Sequence, residues 1–346
     1  MTSADTALLP TMEKAWPDVG KSFPVNVGEE NSGKFLSQQR RPKEEGECDI
    51  ELPPGTVPLT NQVAGHRRGP GSMVMLKCEG GHVMKHVQPP PKGYREVDFY
   101  RKMFHVDMRD PVLLRLRQHI PAFYGTVPEG SVKTVKFFKM ADVTQKFINP
   151  CVSDIKMGRV TYDPFATQEK RHYEIAKYPP GLNLGFQMLG MRVYREIEGK
   201  YDVYDRKYGR SLAENEVVEK GLAVFFSGQN GIRRDAVWCV LAKLHQIEAW
   251  FESQTQLAFY ASSLLLMYEG NSQLRQCNCS SPMSTDTGVS NHESSQNSLT
   301  AMVNGESTCV ADVKMIDFAH VFETTERDEN YLFGLRRLIA HIERLL

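Results

Sequence analysis

The run Pro150-Cys151-Val152-Ser153-Asp154-Ile155-Lys156-Met157-Gly158 constrains this chain more than any other segment. It is a short apolar stretch that carries an Asp and a Lys two residues apart and closes on a glycine. In a strand, residues two apart share a face, so Asp154 and Lys156 would be presented together. A carboxylate and an ammonium side by side can orient a hydroxyl nucleophile and neutralise a phosphate. On pattern alone, a partly buried ion pair accounts for the two residues equally well. A second segment, Val313-Lys314-Met315-Ile316-Asp317-Phe318-Ala319-His320, sets Asp317 at the end of an apolar strand with His320 three residues on. Together the two segments point to phosphoryl transfer. Taken by itself, His320 reads more simply as a structural histidine.

Composition narrows the partners. Lys plus Arg number 42 and Asp plus Glu number 42, so the global electrostatic case for nucleic acid fails and nucleic acid is not an expected partner. Local basic clusters still suit a polyanion. No run of about 18 apolar residues is present, which argues against a spanning helix. Residues 1–10 lack a charged segment and a long apolar run, so no secretory signal is expected. The seven cysteines, odd in number and irregularly spaced, fit reduced thiols in the cytosol or nucleus. Cys277-Asn278-Cys279 reads as an accidental pair in a polar loop before it reads as half a metal site.

Residues 1–55 scatter Gly, Pro, Lys and Glu without apolar periodicity and are expected to be a mostly disordered tail. Residues 271–310, rich in Ser, Thr, Asn and Gln, are expected to be a disordered insertion. That insertion separates Leu257–Tyr268 from Lys314–Asp317, which otherwise read as a hairpin. A long loop at a hairpin tip costs little closure entropy. Ser72–Lys77 and His82–Val87 alternate around Glu79-Gly80-Gly81, a hairpin turn. Arg95–His105 has helical spacing, Val112–His119 is a second helix candidate, and Thr134–Met140 is a strand. Asp235–Ser253 is an amphipathic helix with Val237, Val240, Leu241, Leu244, Ile247 and Phe251 near 3.6 spacing. Tyr331–Leu346 is another, with Leu335, Leu338, Ile339, Ile342 and Leu346 on one face. The order predicts an α+β chain with a small N-terminal lobe, 56–143, and a larger lobe, 144–270 with 311–346.

The Pro150–Gly158 run matches Pro-x-x-x-Asp-x-Lys-x-Gly, the signature of the inositol polyphosphate kinase family. Asp317-Phe318-Ala319-His320 resembles that family's metal-binding Asp motif. Gln62-Val63-Ala64-Gly65-His66, Gln88-Pro89-Pro90-Pro91-Lys92-Gly93, Leu189-Gly190-Met191-Arg192-Val193-Tyr194, Tyr208-Gly209-Arg210-Ser211-Leu212 and Phe259-Tyr260-Ala261-Ser262-Ser263-Leu264-Leu265 are similar to its animal multikinase branch. The resemblance covers roughly residues 60–270 and 311–346. It implies a two-lobed kinase-like fold with ATP between the lobes, and an ATP- and Mg²⁺-dependent kinase of soluble inositol phosphates. The implied substrates are inositol 1,4,5-trisphosphate and tetrakisphosphate, phosphorylated at the 3- and 6-positions towards pentakisphosphate. A phosphatidylinositol 4,5-bisphosphate headgroup at a membrane surface is a further implied substrate.

The resemblance also implies roles. By pattern alone Lys85 is first a surface lysine on a hairpin; the resemblance makes it a ligand of ATP phosphates, with Glu96 as its helix partner and Asp98 in competition. No glycine-rich phosphate loop precedes it, in keeping with this family. Asp142-Val143 falls where the family's hinge holds adenine through backbone groups and ribose through an Asp, and Ala141 stands where animal multikinases usually carry Glu. Asp154 would orient and deprotonate the attacking hydroxyl, and Lys156 would contact the transferring phosphoryl group or a substrate phosphate. Asp317 would hold Mg²⁺, and His320 would contact substrate near the metal. Substrate phosphates need cations, for which Lys92, Lys170 and Lys177 are candidates. Two helical turns place Lys170 and Lys177 on one face, although a solvated helix face is the commoner meaning of such spacing. Arg171-His172-Tyr173-Glu174 replace a glutamine-rich run of familiar multikinases; Glu174 would repel phosphate if it faced inward. Only about 30 residues separate Asp163 from Met191. Dedicated trisphosphate 3-kinases carry a larger insertion there, so the inositol-binding segment, about 163–190, implies an open pocket that admits several phosphate patterns.

An inositol hexakisphosphate kinase, or a kinase-fold scaffold without activity, are the alternatives. Intact Lys85, Asp154, Lys156 and Asp317 argue against the scaffold. Residence in nucleus and cytoplasm is expected from the family, since Arg40-Arg41 and Arg67-Arg68 are too short for a nuclear localisation run. A monomer is the default, and the two polar segments are the expected places for protein partners.

Overall fold

The computed structural model describes residues 53, 55–59, 63, 75–128, 135–274 and 310–346. Most of the expected tail 1–55 and insertion 271–310 lies outside the described residues. So do Gln62–His66 apart from Val63, the start of the strand expected from Ser72, Thr134, the two Arg pairs and Cys277–Cys279.

Strands β1 (Thr56–Pro58), β2 (Met75–Cys78), β3 (His82–His86), β4 (Phe123–Pro128) and β5 (Val135–Ala141) form one antiparallel sheet, ordered β1-β2-β3-β5-β4. Between β3 and β4 run α1 (Lys92–Met103), α2 (Pro111–Leu116) and a 3-10 turn, Arg117–His119. Next come β6 (Pro150–Met157), α3 (Gln168–Ala176), α4 (Gly181–Leu184), β7 (Phe186–Arg195), β8 (Lys200–Tyr204) and α5 (Arg206–Ser211). A π-helical stretch, Val217–Leu222, leads into α6 (Ala223–Phe225), the short pair β9 (Ser227–Gly228) and β10 (Gly231–Ile232), and α7 (Arg234–Ser253). The chain then forms β11 (Leu257–Phe259), β12 (Ser263–Glu269), β13 (Ala311–Ile316), β14 (Val321–Glu323) and α8 (Glu329–Glu343). The second five-stranded sheet is ordered β13-β12-β6-β7-β8, all antiparallel, and β11 pairs with β14. No helix among the described residues is long and apolar enough to cross a membrane.

Local chemistry explains these elements. Gly80 and Gly81 both take positive φ, 75° and 76°, and turn β2 into β3. Asp110 caps α2 by accepting from the Val112 and Leu113 amides at 2.8 and 3.1 Å, with Pro111 at the first helical position. Helix α1 starts at Lys92, three residues before the expected Arg95, because proline is tolerated at a helix start. The expected single strand Leu257–Tyr268 is two strands. Ala261 has φ 55°, a left-handed residue that breaks the ladder, so β11 pairs with β14 while β12 enters the large sheet. The hairpin expected across the insertion is present as β12–β13, with Leu264 opposite Met315.

The second sheet positions the site. On β6, Cys151, Ile155 and Met157 belong to the main core, beside the α7 residues Val237, Val240, Leu241, Leu244, Ile247 and Phe251. Helix α8 covers the same face, with Tyr331 stacked on Phe251 at 4.1 Å. Alternation sends Val152, Asp154 and Lys156 to the opposite face. There Val152 joins Phe147 and Met267 in a separate small apolar cluster with Val63, Val143 and Leu265 packed against it. Gly158 ends the strand at φ 96°; a Cβ there would lie 2.5 Å from Asn330 Nδ2.

Candidate active site

Lys85 is buried on β3 and joins three elements. Its Nζ donates to Glu96 Oε1 of α1 at 2.7 Å and to Asp317 Oδ1, just after β13, at 2.5 Å. Glu96 Oε1 also accepts from the Phe318 amide at 3.3 Å, so α1 holds the Asp-Phe turn directly. Phe318 anchors that turn in the core, tilted on Phe99 at 4.3 Å. Glu96, not Asp98, is the partner of Lys85; Asp98 is exposed and faces Arg101. One ammonium thus serves two carboxylates. Burial opposes its charge, yet Asp317 and Glu96 raise the Lys85 pKa on balance. Burial likewise pushes Asp317 up, but Lys85 outweighs it and keeps the carboxyl below its usual range. Glu96 goes the other way: burial, reinforced by Asp317, outweighs Lys85 and raises it. The Asp317 backbone is left-handed, φ 64°, a conformation that costs energy for a non-glycine residue and often marks a functional turn.

Asp154 lies across from this group on β6, 5 % exposed. Its Oδ1 is buried without a hydrogen-bond partner. Burial, then repulsion from Asp317, push its carboxyl up to about 7, against the pull of Ser263, Arg206 and Lys156. Lys156 sits two residues on, in register with Ser263 of β12 and Gln187 of β7. Burial lowers its pKa, with Glu174 opposing and Lys177 and Arg206 adding to the fall. The Gln187 Nε2 and Arg206 Nε groups are buried donors without partners. Buried polar groups normally pair, so an unmatched acceptor and two unmatched donors around one lysine mark a place built for a polar ligand.

Of the remaining expected residues, Lys170 and Lys177 join Lys156 through Glu174, while Lys92 with His320, and Asp142 with Val143, make separate contacts. Lys170 on α3 and Lys177 at its C-cap both reach Glu174 Oε1, at 2.5 and 2.8 Å. Glu174 does face inward, with its side chain only 8 % exposed. His320 Nδ1 lies 3.0 Å from Asp163 Oδ2. Burial lowers the His320 pKa, Asp163 opposes, and Lys92 and Arg95 add to the fall. Lys92, exposed at the start of α1, therefore belongs to the same neighbourhood. Asp142 turns one oxygen back on Thr144, accepting from its amide at 3.0 Å and its hydroxyl at 2.6 Å. The Asp142 amide donates to the Gly81 carbonyl at 3.0 Å. Val143 follows, packed on the small apolar cluster of Phe147, Val152 and Met267.

A sequence profile described as inositol polyphosphate kinase matches residues 137–343. The chain is 36 % identical to the inositol polyphosphate multikinase of Rattus norvegicus, over 84 % of this chain and 93 % of that one. The chain belongs to the inositol polyphosphate kinase family. It is therefore a kinase. Within the family, similarity to the inositol hexakisphosphate kinase 1 of Rattus norvegicus is shorter: 30 % identity over 62 % of this chain and 52 % of that one. The crystal structure of an inositol phosphate multikinase from S. cerevisiae, in complex with ADP and Mn²⁺, aligns with a TM-score of 0.55 at 18 % identity. It covers 77 % of this chain and 99 % of that one, and shares the α+β kinase-like fold.

Three residues beside these groups carried little signal in the sequence. Arg206 is one: Asp205 caps α5 by accepting from the Lys207 and Tyr208 amides, and Arg206 starts that helix with its Nε turned inward. The Asp-x-x-Tyr start of a helix was the available signal. Gln187 lies on a strand whose alternation is blurred by a bulge between its pairings with Asp154 and Ile155. Asp163 carried no signal, since its partner His320 is 157 residues away.

Proposed function

We propose that this kinase transfers the γ-phosphoryl group of ATP, with a divalent cation such as Mg²⁺, to inositol 1,4,5-trisphosphate and then to tetrakisphosphate, at the 3- and 6-positions. A phosphatidylinositol 4,5-bisphosphate headgroup is a further acceptor. The observation that supports this most is Asp154, a buried carboxylate with a free oxygen set between the acidic Lys85–Glu96–Asp317 group and the cationic Lys156–Arg206 group. The proposed division into lobes 56–143 and 144–270 with 311–346 is supported by the two five-stranded sheets, one built from β1–β5 and the other from β6–β8, β12 and β13.

A divalent cation fits Asp317, whose side chain is 40 % exposed. No group of three or more His, Cys, Asp or Glu able to hold a metal occurs among the described residues. Phosphate oxygens and water would complete the shell of a hard cation carried on a nucleotide. When bound, such a cation offsets charge on the transferring phosphoryl group. Lys85, ionised beside Asp317, is placed to hold nucleotide phosphates, and Val143 offers its backbone above an apolar floor for a purine. Asp154 Oδ1 is the atom that would accept the proton of the attacking hydroxyl. Its pKa near neutrality suits a general base. Lys156, on the same face, neutralises a phosphate there, and Arg206 and the Gln187 amide donate to the substrate. Lys92 and His320 line one side, Lys170 and Lys177 the other.

The substrate segment is light. Between Asp163 and β7 it contains the nine-residue α3, with no buried residue, and the four-residue α4. Such a segment does not enclose one substrate, which supports sequential acceptance of more than one. Anion-exchange analysis of products from ATP, Mg²⁺ and labelled inositol 1,4,5-trisphosphate tests the reading. Tetrakis- and then pentakisphosphate are expected; a single tetrakisphosphate would restrict the enzyme to one position. Pyrophosphate products from hexakisphosphate would favour the hexakisphosphate branch, and absence of any product from folded, ATP-binding protein would refute catalysis. The same assay on vesicles containing phosphatidylinositol 4,5-bisphosphate tests the lipid headgroup.

A further inference from the structure

Glu174 is an acid in the wrong place for a polyanion site. Its Oε1 draws in Lys170 at 2.5 Å and Lys177 at 2.8 Å. The carboxylate is the enclosed member of the trio: its side chain is 8 % exposed, against 46 % for Lys170 and 28 % for Lys177. In an ordinary pair along a surface helix both ends are solvated and the pair contributes little. Here the acid points into the molecule and the bases fold over it. Tyr173, exposed, backs them from the outside, its ring centre 4.3 Å from Lys177 Nζ and 5.3 Å from Lys170 Nζ.

Inside, Glu174 faces Lys156. It is the largest charge influence on Lys156, and Lys156 acts on it in turn. Burial pushes the Glu174 carboxyl up, but Lys170, Lys177 and Lys156 together bring it down to about 2. Three lysines therefore share one built-in carboxylate. Packing does not require it: no apolar residue of α3 is buried, and its N-terminus is capped separately by Thr167.

We propose that Glu174 is an internal counter-anion that limits substrate charge, favouring acceptors with a hydroxyl rather than a phosphate at the subsite between Lys156, Lys170 and Lys177. An added phosphate must displace Glu174 from its lysines or lie against it. A carboxylate set against a phosphate is disfavoured by like-charge repulsion, and discrimination by repulsion is an effective route to specificity. The inference rests on the inositol-phosphate reading of this site and adds a specificity determinant to it.

Glu174→Gln keeps the shape and removes the charge. Calorimetric binding and turnover should be measured with inositol trisphosphate, tetrakisphosphate and hexakisphosphate at low and high salt. In Glu174→Gln the affinity gain should grow with phosphate number, reaching about tenfold more for hexakisphosphate than for trisphosphate at low salt, and should shrink at high salt. For acceptors that turn over, the change should lie in KM rather than kcat. Glu174→Asp should restore the wild-type ranking. An equal change for all three ligands, or none, would overturn the inference while wild-type turnover leaves the substrate reading intact. Unfolding of both Glu174→Gln and Glu174→Ala would make Glu174 a structural staple and also overturn it. A folded wild-type protein that neither binds nor phosphorylates any of the three would overturn both readings.

Discussion

Two ion groups flank Asp154, and they are built in opposite ways. On one side a single lysine, Lys85, serves two carboxylates, Glu96 and Asp317, and repulsion from Asp317 reaches Asp154 as well. On the other side a single carboxylate, Glu174, serves Lys156, Lys170 and Lys177, with Arg206 adding a fourth cation beside Lys156. The first group is short of positive charge and hangs from core elements: β3, α1 and the turn after β13. The second is short of negative charge and hangs largely from α3, which buries none of its residues. An acidic surplus of that kind suits a cation-bearing nucleotide, and a cationic surplus suits a polyphosphate. Under the proposed function, the firmer support falls on the side that would place the reacting atoms, and the lighter support on the side that would admit different substrates.

The contrast breaks most completely if Asp317 is dispensable. Asp317→Ala should lower turnover about 10³-fold or more while the protein stays folded, because the missing interaction is one with developing charge. Turnover titrated against Mg²⁺ checks this, and an unchanged metal response would exclude Asp317 as the ligand.

Asp154→Asn comes next, with turnover falling about 10²- to 10⁴-fold. Its stability should move the other way. Burial and Asp317 raise the folded pKa of Asp154 to about 7, so the fold binds its proton more tightly than the unfolded chain does. That contribution is fully present below the ordinary carboxylate range, near pH 4, and is lost as pH rises to 7. Asn has nothing to lose, so the variant should be more stable than the parent at pH 7.5, by roughly 2–4 kcal/mol. The advantage should fade towards pH 4. Urea denaturation at both pH values checks the sign, and a less stable variant at pH 7.5 would mean that Asp154 is comfortably paired rather than poised.

The smallest effect is expected on the lighter side. Lys170→Ala should raise KM for inositol phosphates about three- to tenfold, leave kcat nearly unchanged, and matter less at high salt, since Lys170 is largely solvated. A loss in kcat equal to that of Asp154→Asn would erase the distinction between the two sides.

Much of this was legible before folding. Alternation put Asp154 and Lys156 on one face, and 3.6 spacing identified six buried residues of α7, leaving Ala236, Cys239 and Trp250 unnamed. The β12–β13 hairpin was visible across its long insertion because β12 carries the apolar run Leu264–Met267 and β13 alternates Ala311, Val313 and Met315 with polar residues. Strand β7 was not: it is buried on both faces, so its apolar run lacks a period of two, and the bulge at Leu189 shifts what period there is. The split of Leu257–Tyr268 was hidden because the break lies in the backbone of Ala261, not in its side chain. In the site, residues sharing one strand or helix were found, whereas Gln187, Arg206 and Asp163 were missed because each gains meaning only from a partner on another element.

The sequence by itself determined which faces the strands and helices present, since side-chain direction follows from local geometry with periods of 2 and 3.6. Tertiary structure alone decided the charges. Lys85 chose Glu96 over Asp98 because α1 buries one and exposes the other, and it met Asp317 across 232 residues of chain. Whether Glu174 pointed out or in, and whether Asp154 stayed a simple carboxylate or rose to about 7, depended on burial and on neighbours from other elements. Periodicity is a property of the chain; desolvation and long-range pairing arise only once it has closed on itself.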